Sequence, residues 1–312
     1  MLIDAWDPFV GGAQVHVKAL LKHFPHHIKV RLFHAPHPNI FIRALWCIYV
    51  IPQVLLSGKF AFIHAHAFAA GIPAKILSLL LGLPVVYTIH GSHLMDMKTS
   101  GPKAWLEKLL LTQIRYTHQI SVTRSFLKYP NINKNISVIN NGVDIKAFDQ
   151  IKTKKSKDFT LLYVGRDHPT KGLNILRSAF ALAKQRYPDI NLQVVTGLTG
   201  KKLIKTYKRA HAFVLPSLVE GQPLVLLEAW AAKLPVIATT TAGVAEIANP
   251  KTAILVAPGN QSQLTQSIIK LLRLSPQQRQ ALADAGYRQA RRFTWDKTAA
   301  QIASLYEQVI NY

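Results

Sequence analysis

Short apolar runs alternate with amphipathic stretches of helical period along this whole chain. That alternation restricts the fold more than any single motif, because strand, crossover helix and parallel strand in series build doubly wound α/β sheets. In the first half, Lys29–Phe33, Phe60–His64, Pro84–Ile89, Gln119–Thr123 and Ile136–Ile139 read as strands. Ala13–Phe24, Ile40–Leu56, Pro73–Leu81 and Lys103–Thr117 read as helices. The polar, Lys-rich segment Asp149–Asp158 has no apolar periodicity beyond Ile151 and reads as a linker. A second alternation starts at Phe159–Val164 and continues through strands at Leu192–Thr196, Ala212–Leu215, Val236–Ala238 and Ala253–Leu255. Its helices are expected at Leu173–Tyr187, Leu224–Ala232, Gln261–Leu272 and Pro276–Arg292, followed by a closing amphipathic helix, Trp295–Ile310. The expected organisation is an N-terminal doubly wound domain over 1–148, a linker at 149–158, a second such domain over 159–294, and a terminal helix over 295–312. Two such domains put a ligand cleft at the C-terminal ends of their strands.

Charge narrows the partners. The 312 residues include 38 Lys and Arg against 15 Asp and Glu, a formal net charge of +23. The excess is spread over both halves, 15 basic against 6 acidic in residues 1–150 and 23 against 9 in the remainder. Such a field favours anionic partners: a phosphorylated cofactor or glycan, or an acidic membrane surface. No zinc-finger spacing, RNP aromatics or helix-turn-helix pattern points to nucleic acid. Cys47 is the only cysteine, so no disulfide forms within the chain and a reducing compartment is expected. The apolar run Ile40–Leu56 is interrupted by Arg43, Pro52 and Gln53 and is short for a membrane span of about 20 residues. A soluble cytoplasmic protein, or one resting on the cytoplasmic face of a membrane, is the expectation.

Two segments carry chemistry. Glu220-Gly-Gln-Pro-Leu-Val-Leu-Leu-Glu228 follows the strand Ala212–Leu215. Pro223 suits the first turn of a helix, where its missing N–H costs nothing. The helix N-terminus behind it offers free backbone N–H groups and positive dipole, a seat for a diphosphate. Val164-Gly-Arg-Asp-His-Pro-Thr-Lys-Gly172 follows a buried strand and precedes a helix. There Arg166 brings a bidentate phosphate grip and Lys171 a flexible point charge. Taken alone, two basic loop residues and two acids at this spacing also fit an ordinary solvated surface.

The run PSLVEGQPLVLLEAWAAKLPVIATTTAGVAEI resembles the C-terminal signature of the family 4 retaining glycosyltransferases, which share the two-domain GT-B fold. Glu220 and Glu228 reproduce the spacing of that family's two glutamates. The resemblance implies that Glu220 and the backbone after it, Gly221, Leu224 and Val225, meet the sugar and phosphates of a nucleotide-sugar donor. Glu228 would hydrogen-bond the ribose. Arg166 and Lys171 would take the diphosphate, as the family's strand–GR–KG loop does. In the first half, Gly11-Gly12-Ala13-Gln14 resembles the family's phosphate-approaching glycine turn, with Gly12 at the donor. His90, after the strand Pro84–Ile89, falls where the family places a histidine at the donor sugar. Asn140-Asn141-Gly142-Val143-Asp144 resembles the family's NGVD element and reads as structure rather than chemistry; Glu246 in AGVAEI reads likewise.

What the resemblance implies is a metal-independent hexosyltransferase that retains anomeric configuration. It would use a nucleoside diphosphate sugar as co-substrate and no bound cofactor, with a glycan or lipid-linked saccharide of the cell envelope as acceptor. His64 and His66 alternate with Ala, but no Cys or carboxylate has ligand-like spacing, so packing is the expected role and no metal is expected. Two departures stand out. Only Met1–Asp4 precede the glycine region where the family has a full strand. Only Gly197–His211 bridge the place where relatives carry a strand–helix unit over the nucleobase. The donor base therefore stays open, and a degenerate homologue that binds glycan or membrane without catalysis is the alternative. A phosphorylase or sugar-nucleotide epimerase fits less well, because no pyridoxal-phosphate lysine context accompanies the paired glutamates.

Overall fold

The computed structural model describes residues 1–4, 6, 11–37, 39–67, 69–91, 101–129, 132 and 134–310. The chain divides into two compact units, one of Met1–Asn141 with Trp295–Tyr312 and one of Gly142–Thr294. Both are Rossmann-like α/β units on wholly parallel sheets, the GT-B class that the alternation and the family resemblance point to.

Unit 1 runs β1 (Leu2–Ile3), α1 (Gly12–His23), β2 (Phe33–His34), α2 (Ile40–Leu55), β3 (Ile63–His66), α3 (Gly71–Leu81), β4 (Val85–Ile89), α4 (Pro102–Gln113), β5 (His118–Ser121) and β6 (Ile136–Val138). Its sheet order is β2-β1-β3-β4-β5-β6. Unit 2 runs α5 (Ile145–Gln150), β7 (Phe159–Val164), α6 (Leu173–Arg186), β8 (Ile190–Val195), α7 (Gly200–Arg209), β9 (Ala212–Leu215) and α8 (Leu224–Ala231). It continues with β10 (Val236–Thr239), α9 (Ala242–Ala245), β11 (Ile254–Val256), α10 (Gln261–Arg273) and α11 (Pro276–Ala290). The last helix, α12 (Trp295–Ile310), packs in unit 1 against α1. Its residues Ile302, Leu305 and Tyr306 join Leu20, Val86 and Ile120 in one apolar layer. Thr298 Oγ1 donates to the Asn140 carbonyl at 2.8 Å, and His23 Nδ1 lies 2.7 Å from Asp296 Oδ1.

In unit 2 the order is β11-β10-β9-β7-β8. Counted from its own first strand this is 2-1-3-4-5 read from the β8 edge, the same order with which unit 1 begins. Each sheet therefore reverses direction between its first and third strands, and a doubly wound sheet binds ligands at the carboxyl ends of those two. In unit 2 they are β7 and β9, registered by Leu161↔Ala212 and Leu162↔Phe213. In unit 1 they are β1 and β3, registered by Leu2↔Ala65 and Ile3↔His66. Apolar side chains cover both faces of each sheet, as buried parallel strands require. In unit 2 one layer holds Leu161, Leu176 and Ile268, and the other Leu162, Leu226 and Trp230.

Local sequence explains the helix ends that matter. Ser275 caps α11 through a capping box with Gln278, with Pro276 in the first turn. Asn260 caps α10 by accepting from Gln263 N.

Three expectations change. The strand expected at Lys29–Phe33 is only Phe33–His34, because its sole partner, Leu2–Ile3, presents two residues to pair with. The strand expected at Phe60–His64 lies at Ile63–His66, the stretch in register with Val85–Thr88. The lysine-rich segment is held to unit 2, where Ser156 N donates to the Arg209 carbonyl and Lys155 Nζ to that of Ala210.

Candidate functional site

In unit 2, Gly165–Lys171 leaves the carboxyl end of β7, and Pro216–Gly221 leaves that of β9. Gly172, at φ +66°, sits where the two loops touch. A Cβ there would lie 2.1 Å from the Pro216 carbonyl oxygen, so only glycine permits the approach. Leu218 N donates to the Thr170 carbonyl at 2.8 Å and ties the loops together. The result is convergence of side chains 49 residues apart: Lys171 Nζ donates to Glu220 Oε1 at 2.7 Å. Ser217 Oγ donates to the same oxygen, also at 2.7 Å. The Lys171 and Glu220 side chains are only 24% and 10% exposed, so the charges meet in a partly desolvated pocket. Arg166 is exposed, and its backbone carbonyl accepts from the Tyr163 hydroxyl at 2.9 Å, which fixes the turn carrying the guanidinium.

Behind Glu220 the chain is pinned from the other side. Gly243 N donates to the Glu220 carbonyl at 3.3 Å, and a Cβ at Gly243 would stand 1.0 Å from the Gly221 carbonyl oxygen. Helix α8 then begins behind Pro223 without a side-chain cap. The first N–H groups of a helix have no partner within it, so those of Leu224 and Val225 face outward with the positive end of the dipole. Glu228 lies one turn on and is half-buried. Its Oε2 accepts from the Tyr207 hydroxyl at 2.8 Å. Burial raises the Glu228 carboxyl above its ordinary value, and the Tyr207 hydrogen bond opposes that rise. The Tyr207 phenol is pushed well above its own, by burial first and by the Glu228 charge second.

Unit 1 holds the other two residues singled out in the sequence. Gly12 is the exposed first residue of α1, and residues 7–10 of the loop before it lie outside the described residues. His90 follows β4, is partly exposed, and has its Nε2 3.2 Å from Nδ1 of His66 at the end of β3. His16, buried in α1, approaches His90 with ring centroids 4.7 Å apart. His64 packs on His66, with ring centroids 4.0 Å apart, but both of its nitrogens are engaged elsewhere. Its nitrogens meet the Tyr306 hydroxyl at 2.5 Å and Thr88 Oγ1 at 2.7 Å, a satisfied core histidine.

The family model described as glycosyltransferase family 4 matches residues 10–147, and that described as glycosyl transferases group 1 matches residues 143–274. The chain belongs to the family 4 glycosyltransferases. It is 27% identical to an uncharacterised glycosyltransferase of Methanocaldococcus jannaschii, over 99% of this chain and 98% of that protein. Among solved structures, sucrose-phosphate synthase from Thermosynechococcus elongatus superposes with a TM-score of 0.80 at 19% identity, covering 99% of this chain and 98% of that one. Anabaena HepE, solved in complex with UDP-glucose, does so with a TM-score of 0.77 at 18% identity, covering 98% and 99%.

Set beside the family motifs, three residues of this glycosyltransferase escape a reading by motif. Tyr207 sits in α7, inside the segment Gly197–His211 that looked merely shortened; the spacing Leu203, Ile204, Tyr207 within KKLIKTYKR is the helical signal that marks it. Gly243 carries no signal beyond its place in AGVAEI, because its demand comes from a loop elsewhere in sequence. His16 is one polar residue on the buried side of a helix, and nothing near it in sequence indicates two further imidazoles.

Proposed function

We propose that this glycosyltransferase moves a hexose from a nucleoside diphosphate sugar to a glycan or lipid-linked saccharide, with retention of anomeric configuration and no metal at the diphosphate. The observation that carries the reading is the contact of Lys171 with Glu220 at the carboxyl ends of β7 and β9. A lysine that binds diphosphate and an acid that binds the adjoining sugar belong side by side, because the two donor groups are covalently adjacent. Arg166 and the N–H groups of Leu224 and Val225 add positive potential around the same point. Glu228 keeps Oε1 for a ribose hydroxyl while Tyr207 holds Oε2. Gly221 supplies close backbone approach, and His90 and Gly12 keep the sugar and phosphate contacts implied by the family resemblance. HepE's complex with UDP-glucose supports a nucleotide-sugar donor.

In this reaction the bond from the anomeric carbon to the β-phosphate oxygen breaks as the acceptor oxygen bonds on the same face. The electron pair leaves with the diphosphate, whose oxygen also takes the acceptor's proton. Negative charge grows on the leaving group, so fixed cations there stabilise the transition state more than the ground state.

The proposed acceptor lies at a membrane face. On α2, Phe41 (75% exposed), Ile48 (69%) and, just beyond it, Leu56 (88%) point to solvent while Trp46, Val50 and Val54 are buried. Leu79 and Leu80 on the adjoining α3 extend the patch. Arg43 is committed to Asp4, which leaves the exposed Lys59, just after α2, and the half-buried Lys75 of α3 as cations close in sequence to these residues. Among the described residues no helix is long and apolar enough to cross a membrane; an apolar face beside lysines suits interfacial docking.

The test is thermal unfolding with UDP, GDP and ADP. A nucleotide at about 100 times its Kd stabilises by about 2.7 kcal/mol, so one base raises Tm and Lys171→Ala reduces the rise. No rise with any of the three overturns the donor assignment and favours the degenerate, non-catalytic homologue.

A further inference from the structure

The three-histidine cluster of unit 1 has a geometry that neither packing nor sugar contact requires. His16 from α1, His66 from the end of β3 and His90 after β4 each offer one ring nitrogen, and the three nitrogens all lie within 4.8 Å of one another. They meet beside β3, one of the two strands at whose carboxyl ends this sheet would bind a ligand.

Three observations separate this cluster from an ordinary polar core. First, His16 Nε2 and His66 Nε2 are buried with no hydrogen-bond partner. Buried polar atoms are ordinarily satisfied, so His16 Nε2 lacks a partner that a ligand would supply; His66 faces His90 through Nδ1, so its own Nε2 is not one of the three donors. Second, His16 Nδ1 lies 2.8 Å from Asn141 Oδ1. With that carbonyl oxygen accepting, the ring carries its proton on Nδ1 and presents a bare lone pair at Nε2, the arrangement that outer partners impose on metal-binding histidines. Third, His66 Nδ1 and His90 Nε2 are 3.2 Å apart. That spacing is also an N–H···N hydrogen bond between the two rings, and it is close to the about 3.3 Å between two nitrogens bound to one tetrahedral zinc at about 2.0–2.1 Å, so an ion replaces the shared proton while the third nitrogen closes from within 4.8 Å.

All three donors are nitrogen, with no carboxylate among them, which disfavours Ca²⁺ or Mg²⁺ and suits a zinc-class ion.

We infer that His16, His66 and His90 form a three-imidazole site for a first-row transition ion of the zinc class. The site is distinct from the diphosphate chemistry of unit 2. It shares His90 with the proposed sugar contact, so an occupied site and a free His90 ring exclude each other.

Full-length protein is stripped with EDTA and titrated with Co²⁺ and then Zn²⁺. The expected result is one Co²⁺ per chain with the intense visible absorption of a low-coordinate site, displaced by one Zn²⁺. X-ray absorption at the zinc edge of the loaded wild type should show three imidazoles. Asn141→Ala should weaken Zn²⁺ binding by about 10–100-fold through loss of the outer partner. His90→Ala should weaken it further, and the exposed pair His26→Ala/His27→Ala should leave it unchanged. No stoichiometric binding, fewer than three imidazoles at the edge, or equal loss in the His26/His27 variant overturns the inference. Nucleotide binding requires none of the three imidazoles to hold an ion, so failure here leaves the donor assignment standing.

Discussion

Gly243→Ala tests whether the Glu220–Gly221 loop, the proposed donor loop, is held by backbone contact. The added Cβ would lie 1.0 Å from the Gly221 carbonyl oxygen, 2.2 Å from its carbon and 3.1 Å from Gln222 N. Real Cβ contacts do not fall below 3.0 Å, so one backbone segment must retreat by about 2 Å. The colliding atoms are peptide, which cannot rotate aside as a side-chain tip can. The cost belongs at or above the top of the overpacking range, about 3 kcal/mol. For a unit of about 150 residues that is a fall in Tm of about 6–12 °C.

Function should suffer more than stability. Retreat of the Gly221 peptide moves Glu220 on one side and the start of α8 on the other, and it breaks the Gly243 N to Glu220 carbonyl bond. A misplacement of about 1 Å can cost about 100-fold in rate, so kcat/KM should drop by at least that factor. Gly286→Ala is the control. Its Cβ would meet Trp230 Cδ1 at 2.3 Å, a side chain near the carboxyl end of α8 rather than at its start behind the loop. It should lower Tm while leaving nucleotide affinity within about threefold. The assays are calorimetric unfolding and titration with the nucleotide that the UDP, GDP and ADP panel selects. Wild-type Tm and affinity in Gly243→Ala would refute the reasoning, because no plausible relaxation absorbs a 2 Å backbone shift without consequence.

Four further outcomes are expected. Burial raises the Glu228 carboxyl, so the native state binds its proton more tightly than the unfolded chain does. Between the unfolded value near 4.5 and the raised native value, stability falls as pH rises, and the penalty is complete above the native value. Glu228→Gln should flatten that slope, raise Tm near neutral pH and weaken nucleotide binding; parallel Tm profiles from about pH 4 to pH 8 would contradict it. Arg166→Ala, at an exposed position, should stay within about 0.5 kcal/mol of wild type yet lose about 100- to 1,000-fold in kcat/KM. Lys171→Ala should lose similar activity and also about 1–3 kcal/mol, because it leaves the Glu220 carboxylate with Ser217 alone, and equal Tm values for the two variants would remove the structural part of that distinction. Cosedimentation with anionic vesicles should fall sharply in Phe41→Ser/Ile48→Ser and survive moderate salt, whereas no binding by the wild type removes the membrane proposal.

Periodicity carried most of the fold. Phe159–Val164, Ala212–Leu215 and Trp295–Ile310 lie where pattern alone puts them, because each is apolar on the faces it buries. Phe33–His34 was not legible because strand length there depends on a two-residue partner. Helix α7 was missed because most of its side chains are polar and Tyr207 is its one buried residue. The acids and cations of unit 2 could be picked out individually by motif. Their convergence could not, since it rests on Gly172 under Pro216 and Gly243 under Gly221, two close approaches between segments distant in sequence. The histidine cluster lies further still from legibility: its members come from three elements, and the Asn141 that orients one of them comes from a fourth segment.

Helix α7 also bears on whether the shortened segment has lost its purpose. A chain free of any demand for ligand binding would gain by placing an apolar residue opposite position 228, because a half-buried carboxylate and a buried phenol both resist ionisation there. Instead α7 delivers its only buried side chain so that the hydroxyl meets Glu228 Oε2 and leaves Oε1 uncommitted among the described residues. One donor on one oxygen holds the carboxylate in a single orientation and keeps the other oxygen for a second donor, such as a ribose hydroxyl. That arrangement is poor for stability and good for binding. The segment that gave up the expected strand has kept a contact that aims Glu228, the acid proposed to meet the ribose, which weighs against reading the chain as a degenerate homologue.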